Sequence, residues 1–172
     1  MVTEQMNNQA DSAQEKFIEE FLEIAFPEWM RSNKKSHDFR GFVLDKHMIL
    51  EHLLDLLIVA HFFGKIRCKK SELFRNSVLA YMGFAKKVKV LEELKLVDKE
   101  LRGLIFKVNA YRVAQSHIKQ GDPRREPTEK NFKLFQEFST EAHAVLASKI
   151  MIADSDLQKR VRKISNQGGF LN

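Results

Sequence analysis

Apolar residues recur at helical spacing along nearly the whole chain. In four segments they return every three or four positions, the spacing of side chains that share one face of an α-helix. These segments are Phe17–Ala25, Phe84–Leu94, Leu101–Tyr111 and Phe132–Leu146. The sequence contains no strand-like alternation, no hairpin turn and no internal repeat. The pattern therefore predicts an all-α protein.

Capping residues and breakers predict where these helices begin and end. The predicted N-terminal caps are Ser12, Ser71 and Asp98, and the last long helix should begin near Thr128. Pro27 should end or kink the first helix, and the helix that Asp98 caps should run to about Ser116. The sequence leaves open whether the last helix continues past Asp154 or breaks there.

The most apolar segment, Val43–Phe63, predicts a helix at the centre of the fold. Apolar residues fill nearly all of it apart from a polar stripe of Lys46, Glu51, His52 and Asp55. A helix that is apolar on so much of its circumference is enclosed by its neighbours or by a partner chain. We expect the excess apolar surface to be covered in a homodimer. The charges near the middle argue against a membrane span.

Length and composition predict one folded domain. A chain of 172 residues suits a single core, and its scarcity of breakers, 7 glycines and 3 prolines, favours long helices with short joints. We expect a single helical bundle of about five to seven helices over residues 12–165. Residues 1–11 should be flexible and residues 166–172 frayed. The N-terminus lacks a basic start followed by an apolar run, so we expect a cytoplasmic protein without a secretory signal.

Metal and cofactor chemistry finds little support in the sequence. Cys68 is the single cysteine, which excludes an intramolecular disulfide and disfavours a thiolate zinc site. His47 and His52 are five residues apart, which turns them about 140° from each other on a helix. Zinc-binding helices space their histidines by three or four residues instead. A glycine-rich phosphate loop is also absent from the sequence, so no cofactor or metal is expected.

Basic clusters leave room for an anionic partner. The formal net charge is +6, and the candidate nucleic-acid contacts are Lys86, Lys87, Arg124 and Arg125. Clusters of this size are also typical of a solvated helix face or loop. Two short helices joined by a tight turn, as in a DNA-reading helix-turn-helix, are not evident. RNA or DNA is therefore a partner class to be tested.

Three consecutive blocks of the chain resemble the HEPN superfamily. They are "LEHLLDLLIVAHFF", "LAYMGFAKKVKVLEELKLVD" and "LRGLIFKVNAYRVAQSH", and the resemblance spans roughly Leu44 to His117. Within the superfamily the blocks are most similar to the mannitol-operon-repressor-like branch. The resemblance implies a HEPN-like helical bundle and a role in transcriptional regulation.

The resemblance also implies a candidate ribonuclease pair, Arg112 and His117. HEPN ribonucleases join such an arginine and histidine in a cleft between two protomers. The histidine can move a proton and the arginine can stabilise the charged transition state, without a metal. Val113 stands where the active pattern has a polar residue, and Ser116 where it has a small apolar one. On an undistorted helix the pair would point about 140° apart, so the helix end must unwind or a partner chain must complete the site.

Three functions follow from these observations. The preferred prediction is a non-catalytic, homodimeric interaction and regulatory module that contacts protein partners, in which Arg112 and His117 stabilise a helix end. The first alternative is a metal-independent endoribonuclease that uses this pair, with Arg124 and Arg125 steering RNA. The second alternative is a basic helical protein that binds nucleic acid without cleaving it. The interaction module is preferred for three reasons: the excess apolar surface of the Val43–Phe63 helix, the departure from the active pattern at Val113, and the absence of any other site in the sequence.

Overall fold

A computed structural model of the chain describes residues 18–23, 38–116 and 122–159. Its five long helices are α1 (Phe39–Phe63), α2 (Lys69–Ser77), α3 (Phe84–Glu93), α4 (Lys99–Ser116) and α5 (Glu129–Ala153). Two 3₁₀ turns are present at Leu79–Tyr81 and Pro123–Arg125, and residues 18–23 and 155–159 are also helical. No strand occurs in these described ranges. The predicted all-α helical bundle is confirmed.

The helix α1 lies at the centre of the bundle and packs against α5, α4, α2 and α3. It begins after Asp38, whose carboxylate accepts a hydrogen bond from the Gly41 amide (2.5 Å). It ends at Gly64, whose positive φ of 65° is the left-handed conformation that glycine adopts without a steric penalty.

Most of the apolar circumference of α1 is covered within the single chain, while Met48 and Phe62 are exposed. Its buried apolar residues include Leu50, Leu53, Leu54, Leu56, Leu57, Ile58, Val59 and Ala60. A second copy is therefore not needed to cover most of this helix, because its own neighbours already do so. The homodimer stays a prediction without that support.

Two of the predicted helix starts are confirmed by their hydrogen bonds. The Asp98 carboxylate accepts from the Leu101 amide (2.9 Å), and the Thr128 hydroxyl accepts from the Asn131 amide (3.2 Å). The helix that Asp98 caps is helical as far as Ser116, where this described range stops, so its predicted end near that residue stays a prediction. The predicted N-terminal helix is confirmed over residues 18–23, where Ile18, Phe21 and Leu22 are buried. The expectations at Ser12 and Pro27, and for both chain ends, lie outside the described residues.

The prediction that Ser71 caps α2 was wrong, because the cap is Cys68. The Cys68 thiol accepts from the Ser71 amide (3.4 Å), and the Ser71 hydroxyl accepts from the Cys68 amide (2.9 Å). The two residues form a reciprocal capping box with cysteine in the place usually held by serine or threonine. The hydrogen bonds from Ser71 lower the pKa of the Cys68 thiol.

Asp154 answers the question that the sequence left open about the last helix. Its buried carboxylate accepts from the Ile66 amide through Oδ2 (2.8 Å) and from the Asp156 and Leu157 amides through Oδ1 (both 3.0 Å). The last two bonds cap a new helical segment, so α5 ends at Ala153. The first bond ties this end of α5 to the loop that follows α1.

Candidate functional site

A row of polar side chains follows one face of α1. His47, Glu51 and Asp55 are spaced four residues apart, so they lie one above another on that face. His47 and Asp55 are buried, while Glu51 is partly exposed. Buried polar groups on a helix otherwise covered by apolar residues require partners from other helices.

Lys87 of α3 supplies the partner for the lower part of this row. Its Nζ lies 2.8 Å from Oδ1 and 3.0 Å from Oδ2 of Asp55, and 3.4 Å from Oε1 of Glu51. The ammonium donates to Oδ2. Oδ1 receives no hydrogen bond from the described residues, so its short contact with Nζ is ionic. Burial raises the pKa of Asp55, and the hydrogen bond from Lys87 opposes that rise.

Lys87 is therefore not available as the nucleic-acid contact that the sequence predicted. Its side chain is 5% exposed, and its ammonium group forms ion pairs with two carboxylates of α1. On α3 it shares the buried face with Val88 and Leu91, whereas Lys86 and Lys89 are exposed. Its spacing of three from Phe84 and four from Leu91 is the signal in the sequence that could have placed it on that face.

His47 joins the upper part of the row to α4. Its Nε2 donates to Oδ1 of Asn109 (3.1 Å), and its ring lies against Phe84, with ring centroids 5.0 Å apart. Burial lowers the pKa of His47, and the positive charge of the nearby Arg112 acts in the same direction. The imidazole is therefore held in its neutral form at physiological pH.

The structure describes one member of the candidate ribonuclease pair. Arg112 is exposed on α4, three residues beyond Asn109, and forms no hydrogen bond or ion pair with another described residue. His117 lies outside the described residues. Val113, the departure from the active pattern, is exposed beside Arg112.

The predicted basic loop after α4 is partly neutralised. Arg124 binds the Asp122 carboxylate through Nε (2.9 Å) and Nη2 (2.6 Å), which lowers the pKa of Asp122 to about 2. The Gln115 side chain donates to the Arg124 carbonyl oxygen (2.9 Å) and so ties the loop to the end of α4. Arg125 is half-buried. Of the four predicted contacts, Lys86 is the one that is exposed and forms no ion pair with another described residue.

A groove of about 510 Å³ opens beside the Asp55–Lys87 pair, where α1, α2, the Leu79–Tyr81 turn and α3 meet. Both members of the pair line it. Around them stand Met48, His52, Arg75, Asn76 and Ala80. A concave site with an apolar lining and a few polar groups is the usual form of a binding site.

Exposed apolar side chains accompany the groove. Met48 lies in its lining, and Val78 and Tyr81 belong to the same short segment as the lining residues Asn76 and Ala80. Tyr81 is 86% exposed, an unusual position for an aromatic ring with no packing role. Apolar groups gathered around a concave polar site are characteristic of a surface that contacts a macromolecule.

The groove was not visible in the sequence, although two of its residues, His52 and Asp55, belong to the polar stripe noted on the central helix.

In the part of the chain that the structure describes, no three His, Cys, Asp or Glu side chains come together in a way that could hold a metal. None of the described helices is long and apolar enough to cross a membrane. No family model, curated protein or solved structure matches the chain.

Proposed function

We propose that this protein is a non-catalytic helical interaction module that binds a protein partner in the groove between α1, α2 and α3. One observation carries the proposal: the groove combines an apolar lining with two polar side chains, Arg75 and Asn76, that form no hydrogen bond or ion pair with the described residues. The exposed Tyr81 follows the lining residue Ala80 in the chain. The resemblance to the mannitol-operon-repressor-like proteins supports a regulatory role, and homodimer formation belongs to the same proposal.

The polar floor of the groove favours binding over catalysis. Asp55 and Lys87 form an ion pair with each other, and Nζ of Lys87 also contacts Glu51. A general acid or base must be free to move a proton, and two groups that neutralise each other in an ion pair are poorly suited to that role. Binding then depends on the apolar lining and on the polar side chains in the wall of the groove.

Filling the groove should abolish partner binding without unfolding the protein. Ala80 lines the groove, is exposed and belongs to a short turn, so Ala80→Trp places an indole in the binding volume at little cost to the core. We expect the amount of partner that co-purifies with the tagged protein from its native cells to fall by about tenfold or more. Quantitative mass spectrometry measures the loss.

Glu137→Trp is the matched control, since Glu137 is exposed on α5, which does not line the groove. Circular dichroism spectra and thermal unfolding should agree between the two variants. The proposal is wrong if Ala80→Trp retains the same partners in the same amounts as Glu137→Trp.

The second candidate is a metal-independent endoribonuclease with Arg112 and His117 as its active pair. The observation that favours it is the exposed Arg112 guanidinium, which forms no ion pair within the described residues. A cation in that condition is available for a phosphate. The departure at Val113 counts against the candidate. Simple nucleic-acid binding has less support, because Lys87 is buried and Arg124 is paired with Asp122.

Cleavage of mixed RNA in EDTA distinguishes the enzyme from the module. If the protein is a ribonuclease, Arg112→Ala and His117→Ala should each lower the cleavage rate by about a hundredfold or more. Arg102→Ala is the control, because Arg102 lies on the same helix and pairs with Glu92 (3.0 Å). The module predicts that all four proteins, including the wild type, leave the RNA intact.

A further inference from the structure

The charges on the floor of the groove are largely satisfied by one another. Lys87 contacts both carboxylate oxygens of Asp55 and lies 3.4 Å from Glu51. Burial lowers the pKa of His52, and the positive charge of Arg75 lowers it further. His52 is thus neutral at physiological pH. A ligand therefore gains little by binding to the floor itself.

Two polar side chains in the wall of the groove have no such partner. Neither the Arg75 guanidinium nor the Asn76 amide forms a hydrogen bond or ion pair with the residues that the structure describes. Arg75 is half-buried, so its charge is partly removed from water. A guanidinium in this condition binds a carboxylate strongly, because two parallel N–H donors match the two carboxylate oxygens.

Apolar surface adjoins these two donors. Met48 and Ala80 lie in the same lining, and the exposed Tyr81 follows Ala80 in the chain. A bound segment would therefore place a carboxylate at Arg75 and an apolar side chain over Met48 and Ala80. This pairing of one charge with one apolar contact is available to a peptide that contains an acidic residue next to an apolar one.

We infer that the groove binds an acidic peptide segment of a partner protein, with the segment's carboxylate held by Arg75 and Asn76 and its apolar neighbour packed on Met48 and Ala80. The inference rests on the proposed function and adds the chemistry of the partner to it. The helix α2, which carries Arg75, also has Lys69 and Lys70 against the single acidic residue Glu72. Its net positive charge complements an acidic segment.

The carboxylates of α1 explain why a peptide fits better than a nucleic acid. Glu51 and Asp55 line the groove together with Lys87 and Arg75, so two negative charges offset two positive ones. A strand with one phosphate charge per nucleotide would bring several negative charges close to Glu51. A single carboxylate meets Arg75 directly and brings apolar surface with it.

An array of peptides tests the inference. Its members are nine residues long, acetylated and amidated at their ends, with a central Asp or Glu and varied apolar neighbours. Each member stands beside a matched peptide that has Asn or Gln at the centre. We expect the fluorescently labelled full-length protein to bind its best acidic members about tenfold more tightly than their amide counterparts. Arg75→Gln should remove this preference, whereas Lys70→Gln, on the same helix but outside the groove lining, should keep it.

The possible results separate the inference from the proposed function. Equal binding of acidic and amide peptides, no binding to any member, or an acidic preference that survives Arg75→Gln would each overturn the inference. A single-stranded RNA oligomer is tested as a competitor of the peptides. If it displaces them and its binding requires Arg75, the ligand of the groove is a nucleic acid and the inference is overturned. If the inference fails but Ala80→Trp still releases the native partner, the proposed function stands with a partner of different chemistry.

Discussion

Lys87→Met is expected to lower the free energy of unfolding by about 3–5 kcal/mol, because it leaves the buried Asp55 carboxylate without its cation. Methionine retains most of the aliphatic length of lysine, so the loss reports the charge rather than a cavity. Burial already raises the pKa of Asp55, and removal of the ammonium would raise it further. Urea unfolding, followed by circular dichroism at neutral pH, measures the change.

A second substitution separates the pair from its surroundings. In the double variant Asp55→Leu with Lys87→Met both charges are gone, and most of the lost stability should return. Lys86→Met is the control for α3, since Lys86 is exposed, and it should change the stability by less than about 0.5 kcal/mol. A loss below about 1 kcal/mol in Lys87→Met would contradict the buried ion pair.

Acidification is expected to destabilise the protein through His143. This residue of α5 is fully buried, and its Nε2 donates to the Lys46 carbonyl oxygen (3.0 Å). Burial lowers its pKa from 6.5 to about 3. Between pH 6.5 and about pH 3 the unfolded chain binds a proton at this histidine that the folded chain does not. The free energy of unfolding is therefore highest above pH 6.5 and falls as the pH decreases below it. The contribution of His143 to this loss should be roughly 2–3 kcal/mol between about pH 7.5 and about pH 4.5.

His143→Leu isolates this contribution. The variant cannot bind the proton, so its stability should fall with acidification by roughly 2–3 kcal/mol less than that of the wild type. His47 and His52 also have lowered pKa values, and they stay in place in both proteins. Urea unfolding at several pH values gives the two slopes. Parallel slopes would show that His143 is accessible to protons in the folded state.

Local signals in the sequence were sufficient for the helices and for several of their ends. Asp98 caps a helix as predicted, and another helix begins after Thr128, close to where it was expected. Both could be read from the sequence because a capping carboxylate or hydroxyl bonds to an amide only three residues away. Cys68 was missed because its thiol is a weak acceptor and is rarely chosen as a cap. The break at Asp154 could not be decided locally, since the carboxylate also binds Ile66 from a distant loop.

The candidate site depends on contacts between residues that are far apart in the chain. Lys87 was predicted, together with Lys86, as a nucleic-acid contact, but the carboxylates that it binds are on α1. His47 likewise finds Asn109 on another helix. The groove itself exists only where three helices meet, so no single segment of the sequence could reveal it. The role of Arg112 as a catalytic group stays a prediction.

Photo-crosslinking from inside the groove tests the central claim most directly. The photoreactive residue p-benzoylphenylalanine replaces Ala80 in one sample and Glu137 in the other, in the cells that produce the protein. If the groove binds a protein partner, position 80 should give a covalent adduct with a second protein, and position 137 should give a much weaker adduct or none. An adduct with RNA at position 80, or no adduct from that position, would contradict the assignment of the groove as a protein-binding site.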